Sequence, residues 1–168
     1  DEQKLIFTRA LAEETLRIYP PVPLLGLPAL DNATVGGKKI KRGSVVVVCP
    51  YMLHRNPKVF SRPDRFIPER FDERLAPRPQ KYSYVPFAIG PRICPGLVFG
   101  LTEVVVALSI LGSFLAPALE KGHAIKPLAR LTLRPGATLP MVLKLRKPLQ
   151  PSELNTFGEA GVNVQIVH

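Results

Sequence analysis

Pro20-Pro21-Val22-Pro23 is the feature that most restricts how this chain can fold. A proline has no amide hydrogen to donate, and its ring pushes the preceding residue out of helical conformation. Leu5, Ile6, Leu11, Leu16 and Ile18 recur near helical spacing, which predicts a helix over 3–18 that must stop here. Proline also shapes the stretch from Arg62 to Pro86, where four prolines precede Lys81 and arginines are frequent. No regular element suits that stretch. Phe66, Phe71, Tyr82 and Tyr84 are spread through it, so it is expected to be irregular but ordered, with the aromatic rings as anchors.

The remaining pattern is a mixture. Residues 32–36 read as a short strand, Gly36-Gly37 as a turn, and Lys39 to Cys49, with Gly43 in the middle, as a β-hairpin. Asn56-Pro57 starts a short helical turn. Gly96 opens a second long helix, about 97–115, and the apolar stretch Leu97–Leu119 is broken by Thr102, Glu103, Ser109, Gly112, Ser113 and Pro117. It is expected to be a buried helix followed by a stop, because no uninterrupted apolar run reaches the roughly 18 residues a membrane span needs. Two strands are expected near 124–133 and 138–146, joined by Arg134-Pro135-Gly136. Residues 148–168 lose all pattern and read as a loose tail. The class is mainly α with small β-sheets (α+β), and 1–147 is expected to be the structured part.

Composition excludes some functions. The chain has 168 residues, 46% of them hydrophobic, enough for one domain with a core. The net charge of +10 raises nucleic acid as a partner. However, the lysines and arginines are scattered, with no dense basic run and no aromatic-interleaved patch, so nucleic acid is not expected. A basic face for an acidic protein is the alternative. Two cysteines make no disulfide framework, and with no CxxC and only three histidines there is no zinc-type spacing. Cys49, at the end of a VVVVC run, is expected to be packed core. The first residue is Asp1, and helical pattern begins almost at once, so the sequence is expected to be a piece of a longer protein.

Two constellations carry chemistry. Glu14 and Arg17, three apart, share a helix face; the pair is either an ordinary surface pair or, among these leucines and prolines, a buried one needing more partners. Arg70, flanked by Phe66 and Phe71, is a candidate third member. The other constellation is Pro86-Phe87-Ala88-Ile89-Gly90-Pro91-Arg92-Ile93-Cys94-Pro95-Gly96. One reading of Cys94 is a small buried residue in a tight loop. The other is a metal or haem ligand: Gly90 and Gly96 allow close backbone approach to a flat group. A thiol near a helix N-terminus and beside Arg92 favours thiolate.

These residues resemble the cytochrome P450 family. Phe87, Gly90, Arg92, Cys94 and Gly96 fill its F-x-x-G-x-R-x-C-x-G signature, and Glu14 and Arg17 fill its ExxR. Phe66 to Phe71 match its PERF region, Leu16 to Pro23 its exit from the ExxR helix, and Leu53-His54-Arg55-Asn56-Pro57 with Phe60 also follow its pattern. The order and spacing run from residue 3 to about 147. The resemblance implies an incomplete P450-like fold: ExxR helix, β-hairpins, meander, cysteine-ligand loop, long proximal helix and C-terminal β-hairpin. It implies haem b with iron bound through Cys94, Phe87 beside the macrocycle, and Arg92 on a propionate. Glu14, Arg17 and Arg70 would form the buried triad that fixes the meander. A solvated loop arginine remains the alternative for Arg92, and a surface arginine for Arg70. His54 would either help around the propionates or be a structural histidine.

The implied activity is haem-thiolate monooxygenation of a small apolar organic substrate. Electrons would come from a reductase, ferredoxin or flavodoxin on the basic proximal face. No catalytic residue beyond the haem ligand is implied in this stretch. Some relatives use peroxide or rearrange hydroperoxides, and membrane anchoring is left open. Many relatives place an arginine where Gly26, Leu27 and Pro28 stand here, so fewer propionate contacts are expected; Gly100 stands where alanine is common. A second reading treats the chain as a truncated, non-catalytic haem-binding remnant, since the distal oxygen-activating half is not in this sequence.

Overall fold

The structure, a computed structural model, describes residues 5–136 and 138–146. The expected tail at 148–168 lies outside them. Helix α1 spans Ile6–Ile18 and ends where the prolines require, its last bond running from the Tyr19 N–H to the Thr15 carbonyl at 2.7 Å. Its most buried side is not the leucine stripe. Ala10, Ala12, Glu13, Glu14, Arg17 and Ile18 are buried, whereas Leu5, Ile6, Leu11 and Leu16 are only partly covered.

After α1 come strands β1 (Leu25–Pro28), β2 (Ala33–Val35), β3 (Lys38–Ile40) and β4 (Val45–Val48). β2 and β3 form a tight hairpin with Val35 opposite Lys38. Gly36 and Gly37 both have positive φ, +55° and +77°, the requirement of a two-residue hairpin turn whose twist matches its strands. The hairpin expected within Lys39–Cys49 does not form. β4 pairs instead with β1, Leu25 opposite Val48 and Pro28 opposite Val45, so one ladder encloses the other. Gly43, at φ +82°, turns the chain away from β3, and its N–H bonds the Ala29 carbonyl, closing the outer ladder.

A short helix α2 (Pro50–Leu53), not anticipated from the sequence, starts on Pro50 and delivers His54 at its C-terminus. The Asn56 turn follows, with the Phe60 N–H on the Asn56 carbonyl at 2.9 Å. The stretch to Pro86 is irregular, apart from a 3-10 turn at Pro68–Phe71. Two of its four expected anchors serve. Phe71 is buried and packs against Tyr84 with centroids 4.7 Å apart, and Phe60 and Ala10 complete that core. Phe66 and Tyr82 are exposed.

Helix α3 spans Leu97–Phe114 and packs on α1 through Leu101, Val105 and Ala12, with Leu5 and Leu16 alongside. The expectation of a buried helix is corrected: only Leu101 and Val105 are buried, because α1 touches one stripe four residues apart. The rest is open and apolar. With mean hydropathy 2.1 over 18 residues, α3 is long and apolar enough to cross a membrane by length and composition, despite Thr102, Glu103, Ser109, Gly112 and Ser113 within it.

The chain then runs into β5 (Leu115–Leu119), β6 (Leu128–Ala129), β7 (Leu133–Arg134) and β8 (Met141–Leu145). The stretches 124–133 and 138–146 do not pair with each other. β8 pairs with β5, Leu115 opposite Leu145, while β6 and β7 make a small ladder of their own. Arg134-Pro135-Gly136 thus leads out of β7 rather than joining two long strands. The Leu133 N–H bonds the Pro21 carbonyl at 2.8 Å and ties this region back to the exit from α1.

Candidate functional site

The first part of the site is a charged knot in the core. Glu14 and Arg17 are both fully buried, with Arg17 Nε donating to Glu14 Oε2 at 2.7 Å and an Arg17 terminal nitrogen to Oε1 at 2.9 Å. Two more Arg17 N–H groups donate to the carbonyls of His54 (2.8 Å) and Arg65 (3.1 Å). Glu14 Oε1 also accepts the Ile67 N–H at 2.8 Å. Arg70 Nε stands 3.4 Å from Glu14 Oε1, a charge contact rather than a hydrogen bond; its terminal nitrogens reach Ser61 Oγ and the Arg62 carbonyl. Burial pulls Arg70 below its ordinary range and Glu14 opposes this. The structure thus brings Glu14, Arg17 and Arg70 together: the Glu14 carboxylate holds residues 67 and 70, and the Arg17 guanidinium holds residues 54 and 65, around α1.

A second clamp was missed by sequence reasoning. Arg78 grips Glu13 with two hydrogen bonds, 2.7 and 3.0 Å, and its guanidinium lies 5.7 Å from the Phe71 centroid. Glu13 is buried, and the Tyr84 hydroxyl donates to its carbonyl at 3.0 Å. Desolvation, then Glu13, push the Tyr84 phenol far above its usual range. The available signal was a second acid beside Glu14 on a face that had to be buried.

His54 is fully buried. Its Nε2 accepts the Val85 N–H at 2.8 Å, and Nδ1 has no hydrogen-bond partner. Burial pushes its pKa from 6.5 down to about 4; the Arg17 backbone opposes the shift and the Arg17 and Arg55 charges add to it. The ring therefore lies behind Val85 as a neutral acceptor.

Val85 leads into the cysteine loop. Ala88, at φ +60°, and Gly90, at φ +68°, turn the backbone, and Gly90–Arg92 forms a 3-10 turn. A Cβ added at Gly90 would meet nothing within 4 Å, so glycine is required there by φ and not by crowding. The Cys94 N–H bonds the Phe87 carbonyl at 2.9 Å, closing the loop, and Gly96 caps α3. A side chain at Gly96 would begin 3.8 Å from Cys94 Sγ. Cys94 and Arg92 are exposed and Phe87 is half-buried. A hollow of about 310 Å³ opens beside this loop, lined by Leu25, Gly26, Leu27, Val48, Val85, Ala88, Ile89 and Arg92. His54 is not on that lining. Cys49, expected in the core, is half-buried and borders a separate open groove of about 580 Å³.

Among the described residues no group of three or more His, Cys, Asp or Glu side chains could hold a metal. A metal at Cys94 would have to bring its other ligands with it. Cys94 is not on the lining of the hollow, but its loop carries both a free thiol and, on the edge of the hollow, the Arg92 guanidinium, donors that suit a flat group with an anionic rim and a central iron.

Comparison with known proteins identifies relatives of the chain as a whole. The family model for Cytochrome P450 matches residues 1–132. The chain is 36% identical over 152 residues to Cytochrome P450 4V2 of Pongo abelii, covering 90% of this chain and 29% of that protein. It is 35% identical over 136 residues to Cyclooctatin synthase of Streptomyces melanosporofaciens, covering 81% and 30%. Among solved structures, the cytochrome P450DA heme domain superposes with a TM-score of 0.73 at 28% identity, over 84% of this chain and 31% of that one. The chain thus spans less than a third of the length of these relatives.

Proposed function

Because the chain belongs to the cytochrome P450 family, a family of monooxygenases in general, we propose that Cys94 is the axial thiolate of a haem b iron. The protein would use it to oxidise a small apolar organic substrate. The observation that carries this reading is the loop itself. An exposed thiol stands at the end of a loop whose backbone is closed by the Phe87 carbonyl, and Ala88, Ile89 and Arg92 of the same loop line an apolar hollow. Haem held through sulfur supplies dioxygen activation, with the thiolate favouring O–O cleavage.

The chain's own residues bind and orient. Arg92 is the cation for a propionate, and Gly90 and Gly96 keep the backbone close on either side of the ligand. Phe87 shields the thiolate side. Leu25, Leu27, Val48 and Ile89 give the hollow apolar walls, which suit the flat face of a macrocycle. Glu14, Arg17 and Arg70 hold the segment that leads to the loop. The net charge of +10 supports an acidic electron-donor protein as the partner.

The test is the reduced carbon-monoxide spectrum of the haem-loaded protein and of Cys94→Ser. A strongly red-shifted Soret band in the parent that is lost in the variant is the expected result; a band unchanged by the substitution overturns the assignment.

A further inference from the structure

Below the cysteine loop, hydrogen bonds and the short stretches of chain between them lead from the charged core to Cys94. Glu14 fixes Arg17, Arg17 donates to the His54 carbonyl at 2.8 Å, and His54 Nε2 accepts the Val85 N–H at 2.8 Å. Two residues on, the Phe87 carbonyl takes the Cys94 N–H at 2.9 Å. The Val85 carbonyl also accepts the Ala88 N–H at 3.2 Å, so Val85 anchors the loop's first turn as well. Its side chain is buried and belongs to the wall of the hollow. The Tyr84 ring stacks obliquely on His54, 5.3 Å between centroids, and its hydroxyl is fixed on the Glu13 carbonyl.

We propose that His54 is a positioning residue for the Cys94 loop: by accepting the Val85 N–H on Nε2 it fixes where Val85–Phe87 lies, and through the Phe87 carbonyl where Cys94 lies. This rests on the assignment of Cys94 as the haem ligand. A buried N–H without a partner is costly, and the acceptor that meets this one is the imidazole. The imidazole can accept there only with its proton on Nδ1. The side chain is therefore specialised for one acceptor role, and its backbone carbonyl is held independently by Arg17. Glutamine at 54 could present an oxygen near the position of Nε2; leucine could fill the space but accept nothing.

The test is hydrogen exchange at individual amides of the haem-loaded protein, read alongside the carbon-monoxide spectrum. In His54→Leu, exchange at Val85 and Cys94 is expected to accelerate on the order of tenfold or more, while Ala10 and Ala12 in α1 keep their protection. The red-shifted band should decay faster at a temperature well below melting. His54→Gln should restore both. Should His54→Leu not fold, His54→Asn, too short to reach the Val85 amide, must show the same local acceleration. Unchanged exchange at Val85 and Cys94, acceleration spread equally over α1, or a glutamine variant that behaves like leucine overturns the proposal. The haem-ligand reading fails separately, if the band survives Cys94→Ser.

Discussion

Glu14 is the residue on which most of the described core depends. It is the counter-ion that Arg17 and Arg70 share, and it accepts a backbone amide 53 positions away. Glu14→Gln keeps the shape and removes the charge, leaving Arg17 buried without its counter-ion. A loss on the order of 3–5 kcal/mol is expected, read as a lower denaturant midpoint. That is a large share of the roughly 5–15 kcal/mol that keeps a typical domain folded. His54 sets a pH dependence. Its folded-state pKa of about 4 lies below its ordinary 6.5, so the unfolded chain takes the proton more readily. Its contribution to stability is full above about pH 6.5, falls as pH drops toward 4, and changes no further below that. Denaturant midpoints at pH 7 and 5 should differ more in the parent than in His54→Gln, which cannot titrate. Much of this chemistry was legible in the sequence. The spacing of Glu14 and Arg17 and the glycines around Cys94 are local facts. What His54 accepts was not legible, because Val85 is 31 residues away.

At the scale of elements, α1 is held from two sides. The irregular segment grips one side through Glu13–Arg78 and the Phe60–Phe71 cluster, and α3 packs on the other through Leu101 and Val105. The α1–α3 core is small. Leu101→Ala is therefore expected to cost about 2–5 kcal/mol, towards the lower end because its surroundings are open enough to relax. A thermal melt of the variant checks this; an unchanged melting temperature would mean that α3 does not depend on that contact. Element ends were legible wherever proline or glycine dictates them, as at Pro20, at Gly36-Gly37 and at Gly96. Strand partners were not. β4 chooses β1 over β3, and β8 chooses β5, because long-range pairing depends on how turns such as Gly43 aim the chain. Nor does amphipathic pattern predict a helix face that buries two acids and an arginine. Those charges are tolerated because partners from distant positions meet them.

Across the whole molecule, two surfaces stand out. One is the open, apolar side of α3, a helix in which only Leu101 and Val105 are buried. The other is the cysteine loop with its hollow, backed by a core of paired charges and bonded amides rather than by hydrocarbon alone. That construction fits a loop whose work is to hold one sulfur atom in place. A packed apolar base would tolerate sliding, whereas directional bonds from Arg17 to His54 to Val85 define a position. Everything proposed for the protein converges on Cys94 Sγ as an iron ligand. The most direct measurement is therefore the reduced carbon-monoxide difference spectrum of the haem-loaded protein beside that of Cys94→Ser. A strongly red-shifted Soret band that disappears with the sulfur is the predicted result. A band at the ordinary position in the parent, or a red-shifted band that persists in Cys94→Ser, would contradict the account.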